Sequence, residues 1–430
     1  MTEYRFETFD LGVLEDGSPD THTANYLQAV QLGFNAGRPT DEDLRNLVAR
    51  ARKDGRIATA VYVDDAPAHA LDTDIPVATF THFTKRMHVG GGRLLPAHLI
   101  TWVTVRPTHR RRGLLRSMMT ANLQHAKDEG FPLAALTATE GGIYTRFGFG
   151  AGEFYKSIEV DTSPGFRMAV EPDRRVELCS ASQLETLEPD IFSKFLLQVP
   201  GAIERQEVYT QIASGNLDFA TGKEDRKVRA ALHYDEDGAV DGFVAYRTPR
   251  GEDLPGVVEV VDLVALSDAA YSALWAFLAS IDLTSKVTFG HAAAESPLPW
   301  LLDDRRRVRT VEEKDGLWIR ILDVVAALEA RPWYIPGDLV LRVEDPLEHT
   351  TGTYRLRADG SGSGRVEPLT DSAGADLVLG VSQLGSMYLG GVDPVVLARA
   401  GRITELTSGT AKKARAMFGL ERLPHSPNGF

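Results

Sequence analysis

Only one of the 430 residues is a cysteine, Cys179. It has no partner for an intramolecular disulfide, so a reducing cytoplasm is the expected setting. With no histidine close to it in sequence, it reads as a small buried hydrophobe rather than a nucleophile. Long apolar runs are also missing: no stretch reaches the roughly 18 residues that a membrane-spanning helix needs. The opening residues MTEYRFETFD lack a basic segment followed by an apolar core, so no secretory signal is expected. Positive charge is in deficit, with 47 Lys and Arg against 60 Asp and Glu and a formal net charge of −13. That balance excludes a general nucleic-acid binder and favours the approach of cationic ligands. No His, Cys and carboxylate groups stand at metal-ligand spacing, so no metal is expected. His109 and His125 read as a turn residue and a helix-surface residue. What is present is an ordinary globular composition, 43% apolar and 25% charged, in a chain long enough for two or three domains.

The most informative stretch runs from Leu99 to Gly150. Leu99 to Val105 is apolar and rich in β-branched residues, which predicts a strand, and Pro107 stops it. Arg110, Arg111, Arg112 and Gly113 follow. Leu115, Met118, Met119, Leu123 and Ala126 then recur at helical spacing up to Gly130. A second buried strand, Leu133 to Ala138, leads to Gly141 and Gly142 and a short turn carrying Tyr144. A strand, a basic glycine turn, a helix and a strand form a βαβ-like unit. Its helix start, with unpaired N–H groups and partial positive charge, attracts a phosphate-sized anion. Gly113 lets backbone approach the ligand, and the arginines supply charge-assisted hydrogen bonds of about 1.5–3 kcal/mol each. The plainer alternative is a solvated basic turn.

Arg110-x-x-Gly113-x-Leu115 resembles the pyrophosphate-binding signature of the GCN5-related N-acetyltransferases, although Leu115 replaces the usual small last residue. The longer strings VRPTHRRRGLLR and TEGGIYTRFGFG resemble the Eis family (enhanced intracellular survival) of acetyl-CoA-dependent aminoglycoside acetyltransferases. DGLWIRILDVVAALEAR (315–331) and LGSMYLGG (384–391) extend the likeness. The resemblance implies tandem acetyltransferase-like domains of α/β type. The first, 1–160, would be catalytic; the second, 161–310, degenerate. A third, 311–430, would be a sterol-carrier-like α+β domain whose C-terminus reaches the active site. It further implies a homo-hexamer and a small cationic polyamine acceptor.

The chain in order fits that division. Tyr4–Phe9, Ala58–Val63, Val77–Phe83 and Phe154–Val160 read as strands of the first domain, with a hairpin turn at Gly90-Gly91-Gly92. Asn25–Phe34 reads as a helix, and Thr40 with Asp43 form a capping box for the next one. Residues 161–175 read as a connector. Beyond it, Leu184–Val199 and Glu204–Ala213 are expected helices. Arg229–Tyr234 and Asp241–Tyr246 are strands flanking an Asp237-Gly238 turn. The strand Val257–Leu266 and the helix Ala269–Ser280 repeat the coenzyme unit without its arginines or glycine, and Asp268 puts negative charge where a phosphate would sit. In the last third, Leu317–Leu322 is expected as the opening strand; the helix Val324–Arg331, three antiparallel strands, a further strand Ala375–Val381 and three more helices follow.

Acetyl transfer to an amine requires a polarised thioester carbonyl, a neutral amine and a stabilised departing sulfur. The resemblance places Val103, Thr104 and Val105 along the pantetheine, and Arg111, Arg112, Gly113, Leu114, Leu115 and Arg116 around the pyrophosphate. Thr139 and Glu140 complete the coenzyme site. Tyr144 is the candidate acid. A phenol of pKa about 10 is weaker than a thiol of about 8.5, so full proton transfer costs roughly 2 kcal/mol and a hydrogen bond to the thiolate is the better description. Its structural alternative is packing on Phe147 and Phe149. The amine, with a lysine-like pKa of about 10.4, needs a base, because deprotonation at pH 7 costs roughly 4–5 kcal/mol. The resemblance implies the terminal carboxylate, here that of Phe430, acting through water; a frayed tail is the alternative. Trp102 and Phe34 are candidate acceptor-pocket residues; core packing is the alternative for both and the favoured one for Phe34. Acetylation of protein lysines or of other polyamines is the second functional reading. A hydrophobic-ligand binder with a vestigial acetyltransferase is the third, opposed by the intact Arg111–Gly113 turn and by Tyr144.

Overall fold

The computed structural model describes residues 3–248, 255–370 and 373–430. It begins with β1 (Tyr4–Asp10), α1 (Thr21–Gly33), α2 (Asp41–Lys53), β2 (Ile57–Val63), β3 (Ala78–His88), β4 (Leu94–Val105), α3 (Leu114–Asp128), β5 (Leu133–Thr137), α4 (Gly141–Tyr144) and β6 (Gly150–Ala151). The Thr40 capping box forms as expected: Thr40 accepts from the Asp43 N–H, and the Asp43 carboxylate accepts from the Thr40 N–H. The hairpin through the three glycines is also present, joining β3 to β4 in antiparallel register from Ala78↔Val105 to His88↔Leu94.

The second unit contains β7 (Phe154–Asp161), β8 (Val176–Cys179), α5 (Leu184–Leu196), α6 (Glu207–Ala213), β9 (Val228–Tyr234), β10 (Val240–Arg247), β11 (Gly256–Ala265), α7 (Asp268–Ala279), β12 (Thr284–Ala293), α8 (Leu298–Leu301) and β13 (Val308–Asp315). Next come β14 (Leu317–Ile321), α9 (Val324–Ala330), β15 (Gly337–Glu344), β16 (Gly352–Ala358), β17 (Gly364–Leu369), β18 (Leu377–Gly380), α10 (Val381–Met387), α11 (Pro394–Arg399), β19 (Ile403–Glu405) and α12 (Thr410–Phe418).

Three sheets result, ordered β1-β2-β3-β4-β5-β14-β6, β13-β7-β12-β11-β10-β9-β8 and β17-β16-β15-β18-β19. Two strands sit differently from the sequence expectation. Leu317–Leu322, expected to open the third region, provides β14 of the first sheet, hydrogen-bonded to β5 on one side and β6 on the other. Phe154–Val160, expected in the first domain, provides β7 of the second sheet, between β12 and β13. The physical reason is complementary burial. Every residue of β14 is buried, which only an interior strand allows, whereas the outer strand β13 is exposed along most of its length.

The third region locks onto β14. Arg320 and Asp345 are both fully buried and ion-paired at 2.6 Å, joining the first sheet to the turn after β15. Helix α10, whose last four residues open the LGSMYLGG string, approaches so closely that a Cβ on Gly385 would lie 2.2 Å from the Ile319 carbonyl oxygen. Glycine is required there by space. The interior behind it is filled by Trp333, Leu341, Leu356, Met387, Tyr388 and Phe418.

Helix α3 covers one face of the first sheet through Leu114, Met118, Met119, Leu123 and Ala126. Under it lies a polar network that the sequence did not suggest. Buried His82 and His98 stack at 4.8 Å. His98 Nε2 donates to Asn122 Oδ1 at 2.6 Å, and Asn122 Nδ2 donates to His82 Nδ1 at 3.0 Å. That acceptor role requires a neutral His82. Burial, then repulsion between the rings and from His125, pushes the His82 pKa down to about 3; burial chiefly takes His98 to about 4. Because both folded pKa values lie below the unfolded value of about 6.5, their neutral-state stabilisation is full above that pH and declines as pH falls towards about 4. The thermal midpoint should therefore fall between about pH 7 and pH 5, and His82→Phe should show a smaller fall.

Candidate active site

The β3–β4 ladder slips at one place. Thr79 pairs with Thr104 and Thr81 with Thr101, so Phe80 faces both Trp102 and Val103. This is a β-bulge, and Trp102 takes φ +52°, a left-handed conformation costly for a bulky residue. Thr79 holds it in place: its hydroxyl bonds the Trp102 carbonyl at 2.8 Å and lies 2.7 Å from Thr104 Oγ1. On the other side of β4, parallel pairing with β5 ends at Ile100↔Leu136. The β4 edge from Trp102 to Val105 is thus parted from β5, opening a wedge whose far side ends at Thr137. Backbone N–H groups there are free to meet an extended ligand. The Thr104 side chain is inside the fold, against Gly33 of α1, so only its backbone serves the wedge.

At the mouth of the wedge, Arg111 has φ +63° and Gly113 φ +83°. The demand on Gly113 is conformational rather than steric, since an added Cβ would meet nothing within 4 Å. The first helical hydrogen bond of α3 runs from Ser117 N to Gly113 O. The N–H groups of Leu114, Leu115 and Arg116 therefore point outward from the helix start, a concave anion receptor. Leu114 is buried and Leu115 half-buried in the core beneath, so these two leucines anchor the turn. The three arginines differ. Arg112 is tied to Tyr4 Oη at 2.8 Å and to the Thr108 carbonyl at 3.3 Å. The exposed Arg111 and Arg116 have no side-chain partner among the described residues and are available to phosphates. Thr139 and Glu140 are exposed at the N-terminus of α4, and Tyr144 lies at its last position. The Tyr144 ring is buried edge-to-face against Phe149 at 6.3 Å, and its hydroxyl has no partner among the described residues. Burial, then the Glu140 carboxylate, raises its pKa, so it stays a proton donor at neutral pH.

The end of the chain is held, not frayed. Thr137 Oγ1 donates to the Phe430 backbone oxygen at 2.5 Å, and the Phe430 N–H returns to Thr137 Oγ1 at 3.2 Å. The Phe430 ring packs edge-to-face on Phe83 at 5.8 Å. The last residue thus reaches the same strand end that bounds the wedge. Arg56 lies close by on this face of the sheet, its guanidinium 5.0 Å from the Phe83 ring centroid and 4.6 Å from that of Trp102. It shares a single carboxylate, Asp54, with Lys85, at 3.5 and 3.2 Å. Its Nε is buried without a partner. Trp102 is half-buried in this wall. Phe34, by contrast, is 47% exposed at the C-terminus of α1, outside the core.

The corresponding helix start in the second unit is satisfied internally. Ser267 caps α7 by accepting from Ala270 N at 3.1 Å, and its hydroxyl donates to Asp241 at 2.6 Å. With Asp268 in the first turn, two carboxylates border the place of an anion. The residues that grip the tail, Glu153, Arg205, Tyr209 and His291, were not singled out from the sequence. They lie far from the tail along the chain and, although Arg205 and Tyr209 are four residues apart, form no local pattern that points to it.

An acetyltransferase (GNAT) domain model matches residues 24–152, a second such model matches 201–321, and a sterol carrier protein domain model matches 324–427. The chain is 34% identical over 426 residues to an uncharacterized N-acetyltransferase of Streptomyces griseus, covering 95% of this chain and 98% of that protein. It is 35% identical over 344 residues to N-acetyltransferase Eis of Mycobacterium tuberculosis, covering 77% of this chain and 80% of that one. The solved structure of Eis1 from Mycobacterium abscessus superposes with a TM-score of 0.80 at 25% identity over all of both chains. A GCN5-related N-acetyltransferase from Anabaena variabilis shares the fold, with a TM-score of 0.78 at 18% identity over 99% of this chain and 100% of that one.

Proposed function

This chain belongs to the Eis family of GCN5-related N-acetyltransferases, and on that premise we propose that it acetylates aminoglycoside amines, at one or several positions, by direct attack on acetyl-CoA. Acetyl-CoA is the co-substrate, and the thioester supplies the electrophilic carbonyl. In this reading Arg111, Arg116 and the N–H groups of Leu114 to Arg116 hold the pyrophosphate, with Gly113 setting the turn. The open edge at Val103–Val105 holds the pantetheine. Tyr144 offers its hydroxyl to the departing sulfur, and the Phe430 carboxylate accepts the amine proton through water. One observation carries the proposal: Phe430 is hydrogen-bonded to Thr137, at the β5 end that bounds the wedge. The capped, acid-flanked start of α7 supports a single coenzyme site, in the first unit. A homo-hexamer in the cytoplasm belongs to the same reading.

A second reading, acetylation of lysine in an acidic peptide, is favoured by Arg56. A guanidinium in the acceptor wall repels a polycation and attracts a carboxylate placed near the amine. Thiol release from acetyl-CoA, measured with kanamycin and with a Lys-containing acidic peptide, separates the two. Faster turnover with kanamycin is expected. Turnover confined to the peptide would transfer the assignment to protein lysines.

A further inference from the structure

The second unit carries no phosphate turn, yet it hydrogen-bonds four of the last six residues, His425, Ser426, Asn428 and Gly429. The His425 N–H donates to the Pro200 carbonyl at 2.8 Å, and His291 Nε2 donates to the Ser426 carbonyl at 3.0 Å. Asn428 Nδ2 donates to the Ile203 carbonyl at 3.0 Å, and Arg205 Nε donates to Asn428 Oδ1 at 3.1 Å. Tyr209 Oη donates to the Gly429 carbonyl at 2.7 Å and accepts from the Gly429 N–H at 2.5 Å. From the first unit, Glu153, which bonds Ser426 N and His425 Nδ1 at 3.3 Å each, Thr137 and the ring of Phe83 join in.

The grip is built rather than incidental. Arg205 is itself fixed by two carboxylates, Glu188 at 2.7 Å and Asp262 at 3.0 Å, and lies over the Phe192 ring at 4.3 Å. Glu188 also accepts from Thr210, one residue beyond Tyr209. A surface tail needs no such foundation, and most chain ends have none. Two side chains whose own positions are locked hold the two residues preceding Phe430, which is how a reacting group is kept within a fraction of an ångström of its working place.

We infer that the second acetyltransferase-like unit serves as the tail's holder, with Arg205 and Tyr209 as positioning residues that act through Asn428 and Gly429 to set the Phe430 carboxylate at the wedge. The inference rests on the reading of that carboxylate as the base. A base that deprotonates the acceptor ammonium matters most while that amine is protonated, and less where only the proton released after attack remains to be taken, so a positioning defect has a signature that a general structural defect lacks.

The experiment uses the full chain with Tyr209→Phe and, separately, Asn428→Ala. At pH 7 each should lower kcat by about tenfold or more with KM for acetyl-CoA unchanged. The loss should shrink towards about pH 10, where a lysine-like amine deprotonates unaided. It should also be markedly smaller with a hydrazide acceptor, already neutral at pH 7. Unchanged kcat at pH 7 in both variants overturns the inference, and so does a loss equal at every pH and with both acceptors. Removal of Phe430 separates the two levels. If that truncation keeps full kcat, the base reading itself fails. If it loses kcat while Tyr209→Phe and Asn428→Ala retain theirs, the base reading stands and the holder is overturned.

Discussion

Deleting Phe430 alone should lower kcat for amine acetylation at pH 7 by about 10²–10⁴-fold, the usual range for a lost general base. The coenzyme-binding elements, the β4 edge at Val103–Val105 and the turn at Arg111–Leu115, do not touch the deleted residue, so KM for acetyl-CoA should not move. Raising the pH should restore part of the rate, because the roughly 4–5 kcal/mol needed to deprotonate the amine at pH 7 falls by about 1.4 kcal/mol per pH unit. Stability should change little: the Phe430 ring is half-buried, and its packing on Phe83 is one contact at the rim of a large core. Steady-state kinetics over a pH series, with circular dichroism to check the fold, reads all of this.

The second large effect belongs to Tyr144. Tyr144→Phe removes one oxygen and leaves the ring against Phe149, so coenzyme affinity and melting temperature should hold while kcat falls by about 100-fold. Since burial and Glu140 raise the phenol above its ordinary pKa of about 10, it stays protonated throughout the neutral range. The wild-type pH profile should accordingly show no descending limb from this group below about pH 10. A kcat in Tyr144→Phe equal to that of the unaltered chain would leave the tyrosine a packing residue.

What could be read in the sequence was what is local. The strand, turn and helix from Leu99 to Gly130 announce themselves by β-branched content, a proline stop, an arginine run and helical spacing, and each signal lies within its own element. The Thr40 box is legible for the same reason. The bulge at Trp102 is not, because the hydroxyl that stabilises it comes from Thr79 on the neighbouring strand. Nor is the exchange of strands between sheets: LWIRI is as apolar as any central strand, and what marks it as a junction, Arg320 reaching Asp345 and Gly385 against Ile319, is set by residues far along the chain. β13, VRTVEEKD, hides for the opposite reason, since an outer strand with mostly exposed side chains shows no alternation. The tail's role came from resemblance alone. Its hydrogen-bond partners include Thr137, Glu153, Pro200, Ile203, Arg205, Tyr209 and His291, and no single window along the chain brings all of these together.

The most direct test follows the acetyl group itself: thiol released from acetyl-CoA by the intact chain with kanamycin at pH 7, measured together with the mass of the acceptor. Expected is one acetyl gained on an acceptor nitrogen for each thiol released, with catalytic turnover. Coenzyme binding without thiol release, whether with kanamycin or with any other amine offered, would contradict the assignment of this wedge as an amine acetylation site.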